Sequence, residues 1–201
     1  TADNGGAATL YHNALAKLAT TSTGVDVTGT TVTDGLSVDG GTIKLDGNYP
    51  TGTQNVALGD QALDALTTGA NNTAVGHIAL SANTEGVRNV ALGGFSLNSN
   101  TTGNDNVGIG TGSARGALHT NTTGSNNVAV GANALGNNTT ASNNTAVGLS
   151  ALYANTTGSE NTAVGSLALD NNTTGNNNTA VGAAALGANT TGTRNHAFGR
   201  A

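Results

Sequence analysis

The chain has 201 residues, 8% of them charged and 2% aromatic, with 31 glycines, one proline and no cysteine, so disulfides, thiolate nucleophiles and zinc–thiolate sites are absent. Its formal charge of −5 sets 11 acids against the scattered bases Lys17, Lys44, Arg88, Arg115, Arg194 and Arg200, which excludes the clustered cations of a nucleic-acid surface. Glycine falls far short of the every-third-residue content of collagen, and no apolar run approaches the roughly twenty residues of a membrane-spanning helix; a soluble chain with no membrane insertion is expected.

Residues 1–50 read as an N-terminal β-rich shaft or connector. Short alternating runs broken at Gly24, Gly29, Gly35 and Gly40 predict strands, and the stretch from Tyr11 to Ala19 also fits a brief helix. Five of the acids lie here, Asp3, Asp26, Asp34, Asp39 and Asp46. The only proline, Pro50, marks the passage into a different pattern.

From 51 to 201 the chain repeats. Glycine closes nine copies of one tetrapeptide at Gly59, Gly76, Gly93, Gly110, Gly131, Gly148, Gly165, Gly182 and Gly199, with spacings of 17 residues except for a single 21. Four residues before each of these stands an asparagine: Asn55, Asn72, Asn89, Asn106, Asn127, Asn144, Asn161, Asn178 and Asn195. Such phase-locking marks a repeat architecture rather than a disordered linker. A second apolar beat follows the glycine by three and four places, as at Ala62-Leu63, Ala134-Leu135 and Ala168-Leu169, and an Asn-Thr-Thr-Gly turn closes the unit, as at Asn155 to Gly158.

Seventeen residues are too few for a helix pair, and the apolar positions lack helical spacing. Two short extended runs per unit, Asn-x-Ala-Val and x-x-Ala-Leu, with glycine at one corner and a polar turn at the other, predict one coil of a parallel β-solenoid. Nine coils at the spacing of paired strands give a rod on the order of 40 Å long. The corner glycine supplies a positive φ and close backbone approach, and the asparagine stacks on its own copies as an amide ladder. Two before the glycine stands Ala in eight of nine copies, the exception being Gly108, while the residue one before it is Leu, Val, Ile or Phe. Adjacent strand residues face opposite sides, so both sides of the strand are expected to be covered. A coil this thin leaves its second apolar face wet, and a parallel homotrimer buries it.

Candidate chemistry is sparse. His12, His77, His119 and His196 share no phase, carboxylates at matching phase are missing, and no metal, cofactor or catalytic site is expected. Asn-x-Thr triplets at Asn71, Asn100, Asn121, Asn138, Asn155, Asn172 and Asn189 arise from the repeat itself. Thr-Thr pairs beginning at Thr67, Thr101, Thr122, Thr139, Thr156, Thr173 and Thr190 do not read as a flat ice-ordering array, because neighbouring strand residues point to opposite faces. The one singularity is the insertion after Gly110, which carries Arg115 and His119. Insertions on one face of a repeat rod are common binding elements, so these two residues are the candidate receptor contacts.

The unit Asn-(Val/Thr)-Ala-(Val/Leu)-Gly-x-x-Ala-Leu resembles the head repeats of trimeric autotransporter adhesins, and its Asn-Thr-Thr-Gly punctuation is similar to repeat tracts of bacteriophage tail-fibre proteins. The segments Leu10 to Gly24 and Val25 to Gly40 look like shaft segments of marine phage fibres. The expectation is therefore an all-β chain: a parallel β-solenoid, or β-roll, of nine 17-residue coils over 51–201, preceded by a short β-rich shaft over 1–50. The resemblance adds a left-handed winding and a trimer. Its implied function is structural and adhesive and not enzymatic: a stiff trimeric spacer in a phage tail fibre, joined to other virion tail proteins and supporting attachment to a host cell-surface receptor. The alternative is a head segment of a bacterial trimeric surface adhesin. In either setting the chain is expected to be a portion of something longer.

Overall fold

A computed structural model describes residues 9–12, 15–21, 24–27, 52–111 and 115–201, and the chain divides into two compact units, Thr1–Lys44 and Leu45–Ala201. Pro50, the expected boundary, lies outside the described residues, as do Gly29, Gly35 and Gly40.

The first unit holds β1 (Thr9–His12), β2 (Leu15–Thr21) and β3 (Gly24–Val27) in one antiparallel sheet, ordered β1-β2-β3. This corrects the helical alternative for Tyr11 to Ala19. The Leu-Ala-Lys-Leu-Ala run has good helix propensity, but propensity is a weak prior. Here the central strand β2 has a ladder on both sides, Leu18 pairing with Leu10 and with Val27.

The second unit is a nine-stranded parallel sheet, β4 (Val56–Leu58), β5 (Thr73–Val75), β6 (Val90–Leu92), β7 (Val107–Ile109), β8 (Val128–Val130), β9 (Thr145–Val147), β10 (Thr162–Val164), β11 (Thr179–Val181) and β12 (His196–Phe198), in simple sequential order. Every strand pairs with the next in the register of the repeat, for example Ala146 with Ala163 and Ala163 with Ala180. The register also passes intact across the long repeat, Gly108 pairing with Ala129. The fold is thus the expected β-solenoid, one coil per repeat and no helix among the described residues.

Each coil differs from expectation in one respect. It contains one strand of three residues, and the Ala-Leu beat is a tight turn instead of a second extended run. Its leucines sit in the left-handed region, with φ between 50° and 53° at Leu63, Leu80, Leu97, Leu118, Leu135, Leu152, Leu169 and Leu186. That conformation costs an L-residue roughly 1–2 kcal/mol. From Leu63 to Leu169 it is held because the Leu side chain is wholly buried and its amide reaches the next coil, as in Leu135 N–H to Ala151 O at 3.0 Å. The residue before each ladder asparagine is also left-handed, and its amide reaches back to the previous coil, as in Asn143 N–H to Ser125 O at 3.1 Å. Every coil is thereby bonded in both directions along the rod.

The core is a strip of Ala from the strands against Leu from the turns. Ala74, Ala91, Ala129, Ala146, Ala163 and Ala180 are fully buried, as are seven of those leucines, Leu63 through Leu169. Strand side chains on either side of the Ala are half-buried or exposed and point outward. Gly108 departs from Ala because a Cβ there comes within 3.2 Å of the Ala117 carbonyl and Leu97.

Candidate functional site: the turn face around the insertion

Two amide ladders make the rod a rigid scaffold. In the first, running from Asn55 to Asn195 through all nine predicted asparagines, each residue donates its backbone N–H and its side-chain amide to Oδ1 of the one before. The same amide of Asn144 also donates to Gly158 O at 2.9 Å, tying the ladder to the polar turn. The second ladder comprises Asn83, Asn100, Asn121, Asn138, Asn155, Asn172 and Asn189. It starts one coil later than the first because Leu66 occupies the corresponding place in the first repeat. No buried side-chain nitrogen or oxygen among the described residues lacks a partner.

This placement closes off five of the Asn-x-Thr triplets, while Asn189 is half-buried and the further triplets at Asn143 and Asn177 are exposed. Asn100, Asn121, Asn138, Asn155 and Asn172 are fully buried in the second ladder, so no modifying enzyme reaches them in the folded chain. Asn71 lies exposed on the left-handed corner. The Thr-Thr pairs lie in turns, so strand alternation does not govern them. The first hydroxyl of every pair from Thr67 to Thr173 is committed as a donor to the next coil, as in Thr139 Oγ1 to Thr156 O at 3.2 Å, and the second threonine is exposed at Thr102, Thr123, Thr157 and Thr174.

A third ladder escaped the sequence reading. Oxygens of Asn104, Ser125, Ser142, Ser159 and Asn176 each accept the backbone N–H of the residue one coil earlier, for example Ser142 N–H to Ser159 Oγ at 3.2 Å. The alternation of Asn and Ser at this phase hides it, although both supply a side-chain oxygen. The Ala117-Leu118 beat of the fourth coil is likewise displaced by the insertion, yet both residues are fully buried in the common core.

Departures from the repeat gather on the turns between corner glycine and second-ladder asparagine. His77, Phe95 and His119 come from three successive coils, with ring centroids 5.3 and 6.3 Å apart and ring planes at 89° and 61°. The histidines share no phase, as expected, and it is the intervening Phe95 that unites them. His119 Nδ1 also lies 3.4 Å from Phe95 O, and His77 Nε2 lies 3.6 Å from Asp60 Oδ2. Gly116 packs its backbone on this row, since a Cβ there meets Ser96 N at 2.5 Å and Gly94 O at 2.8 Å.

Arg115, beside that glycine, is exposed and reaches away along the rod. Its guanidinium donates to Asn137 Oδ1 at 3.0 Å and to Tyr153 Oη at 3.3 Å. The two candidate contacts, Arg115 and His119, thus both come from the fourth coil, His119 meeting the ring of coil three and Arg115 reaching side chains of coils five and six. Insertion residues 112–114 lie outside the described residues. His12 falls in β1 and His196 in β12, away from the ring row in sequence and phase. No group of three or more metal-ligating side chains is found among the described residues.

No protein-family model, curated protein or solved structure matches the chain.

Proposed function

We propose that the chain is a structural and adhesive fibre segment, a stiff homotrimeric spacer of a phage tail fibre that supports attachment to a host receptor and performs no catalysis. The observation that carries this reading is the outward face of the strands. One column, from Leu58 through Val130 to Phe198, is aliphatic or aromatic in all nine coils, and the column beside it is Val or Thr in eight of them. Exposure along the first column reaches 48% at Leu58, 37% at Val164 and 77% at Phe198. A regular apolar strip running the length of a rod is larger than a lone subunit leaves in water. Burying each such side chain contributes on the order of 1 kcal/mol, and parallel copies around an axis bury the strip in full.

The spacer role rests on the ladders. Bending the rod stretches strand pairing and three side-chain ladders at once, so resistance to bending comes from many bonds failing together. Arg115 and His119 are the receptor contacts in this reading, on a face other than the strand face. The winding is left-handed and the partners are sister chains, other virion tail proteins and the host surface. Electron microscopy of the purified chain, with antibody labelling of phage particles, tests it: straight three-chain rods and label on tail fibres are the expected result. Label confined to the envelope of a bacterium instead identifies a bacterial surface adhesin.

A further inference from the structure

We propose that the strip formed by His77, Phe95, His119, Arg115, Asn137 and Tyr153 binds an extended acidic polysaccharide lying along the rod axis; the inference rests on the attachment role above and names the chemistry of its receptor.

Three features of the strip select this ligand class. The first is shape. The rings of His77, Phe95 and His119 rise one per coil at 5.3 and 6.3 Å, a repeat that suits a linear chain of pyranose units placed along the rod. The mutually turned rings offer apolar faces for sugar C–H groups and histidine nitrogens for sugar hydroxyls.

The second is the balance of polar and apolar groups. Asn137 and Tyr153 continue the row with a neutral amide and a phenol, which match hydroxyl-rich ligands. The strip lacks the fully enclosed apolar anchor that dominates protein–protein recognition.

The third is charge. Within the turns of coils two to six, residues 77–82, 94–99, 111–120, 132–137 and 149–154, Arg115 is the only Asp, Glu, Lys or Arg. Among the described residues it makes no ion pair, because its two partners are neutral oxygens. A guanidinium fork oriented by Asn137 and Tyr153 and left unneutralised is suited to a carboxylate. Asp60, 3.6 Å from His77 at the opposite end of the strip, repels an anion there, so the ligand carboxylate is placed at the Arg115 end.

The test is direct binding of the full chain to a hexamer of galacturonic acid and to maltohexaose as the uncharged control. The acidic hexamer is expected to bind at least tenfold more tightly at low ionic strength, with the advantage shrinking as salt is added. Arg115→Gln, at an exposed position, is expected to erase that advantage while leaving thermal melting unchanged. Phe95→Ala is expected to weaken both sugars at least tenfold, with Phe95→Leu as the variant to use if the alanine form melts early. Absence of binding to the acidic hexamer, or equal preference in the parent chain and Arg115→Gln, overturns the proposal. If particles bearing Arg115→Gln attach to cells as the parent does, and digestion of surface proteins rather than polysaccharides abolishes attachment, the ligand assignment fails while the fibre reading stands. A single-chain mass and loss of the rod form sink the fibre reading whatever the sugars do.

Discussion

Asn161 donates both its backbone N–H and its side-chain amide to one atom, Oδ1 of Asn144, at 2.9 and 3.2 Å. The Asn144 amide in turn reaches Asn127 Oδ1 and Gly158 O. Removing this one side chain orphans the buried backbone N–H of Asn161, whereas the Asn161 amide keeps Gly175 O, Gly158 O keeps the Asn155 amide and Asn127 Oδ1 keeps the Asn144 backbone N–H. Since a buried unsatisfied group costs about 1–3 kcal/mol, Asn144→Ala is predicted to destabilise the rod by about 1–3 kcal/mol. Urea unfolding followed by circular dichroism reads the loss, and because coils couple mainly to their neighbours, the transition is also expected to broaden.

A corner glycine and a turn glycine give a matched pair of predictions. Gly93 has φ of 118°, and its corner equivalent Gly148 has φ of 135° with a Cβ position 2.6 Å from the Gly165 carbonyl carbon and oxygen, so Gly148→Ala is both strained and blocked. It is predicted to cost about 2–4 kcal/mol. The neighbour Gly94 lacks that constraint, its nearest atom being His77 O at 3.7 Å, and Gly94→Ala is predicted to melt with the parent. Equal melting of the two variants contradicts the corner geometry.

The bidentate pair of Arg88 with Asp105, at 2.6 and 2.8 Å, gives a pH prediction. The hydrogen bonds from Arg88 hold the Asp105 carboxyl below its ordinary value. A carboxyl depressed in the folded state adds stability above its ordinary value, and that addition disappears as pH falls through the depressed one. The pair is exposed, so the contribution is small and screened by salt. NMR titration of Asp105 is expected to show a midpoint below the ordinary carboxylate range that returns to it in Arg88→Gln, while melting at neutral pH is unchanged.

How far the fold was legible depends on how each position is constrained. The nine asparagines and corner glycines stand at one unbroken phase because no other side chain fits their bonds or their φ, so coil length, strand position and the first ladder could be read directly. The Leu turn could not. A left-handed Leu135 is unfavourable locally and is maintained only by burial and by a bond to the next coil, both of which are tertiary. The Ser and Asn oxygens of the third ladder are chemically equivalent but spelled differently. The ring row needs three phases, with His77 one residue past its glycine, Phe95 two past Gly93 and His119 on the shifted register after the insertion. No single-phase alignment brings these three together. Arg115 and His119 stand out in the sequence for a simpler reason, since they accompany the only change of period.

Charge placed on the outward strand face separates the coil from its assembly. Val130 is half-buried at the middle of the apolar column. Val130→Lys leaves the Ala–Leu core and both amide ladders untouched, so its circular dichroism is predicted to match the parent while the oligomer dissociates. Unfolding of the coil together with dissociation would instead mean that the single chain does not hold its own core.

Sedimentation equilibrium of the full chain at neutral pH reaches the central claim most directly. The outward apolar column predicts a species of three times the chain mass that persists on dilution and falls to one in Val130→Lys. A parent chain that sediments as a single copy, with that column in water, contradicts it.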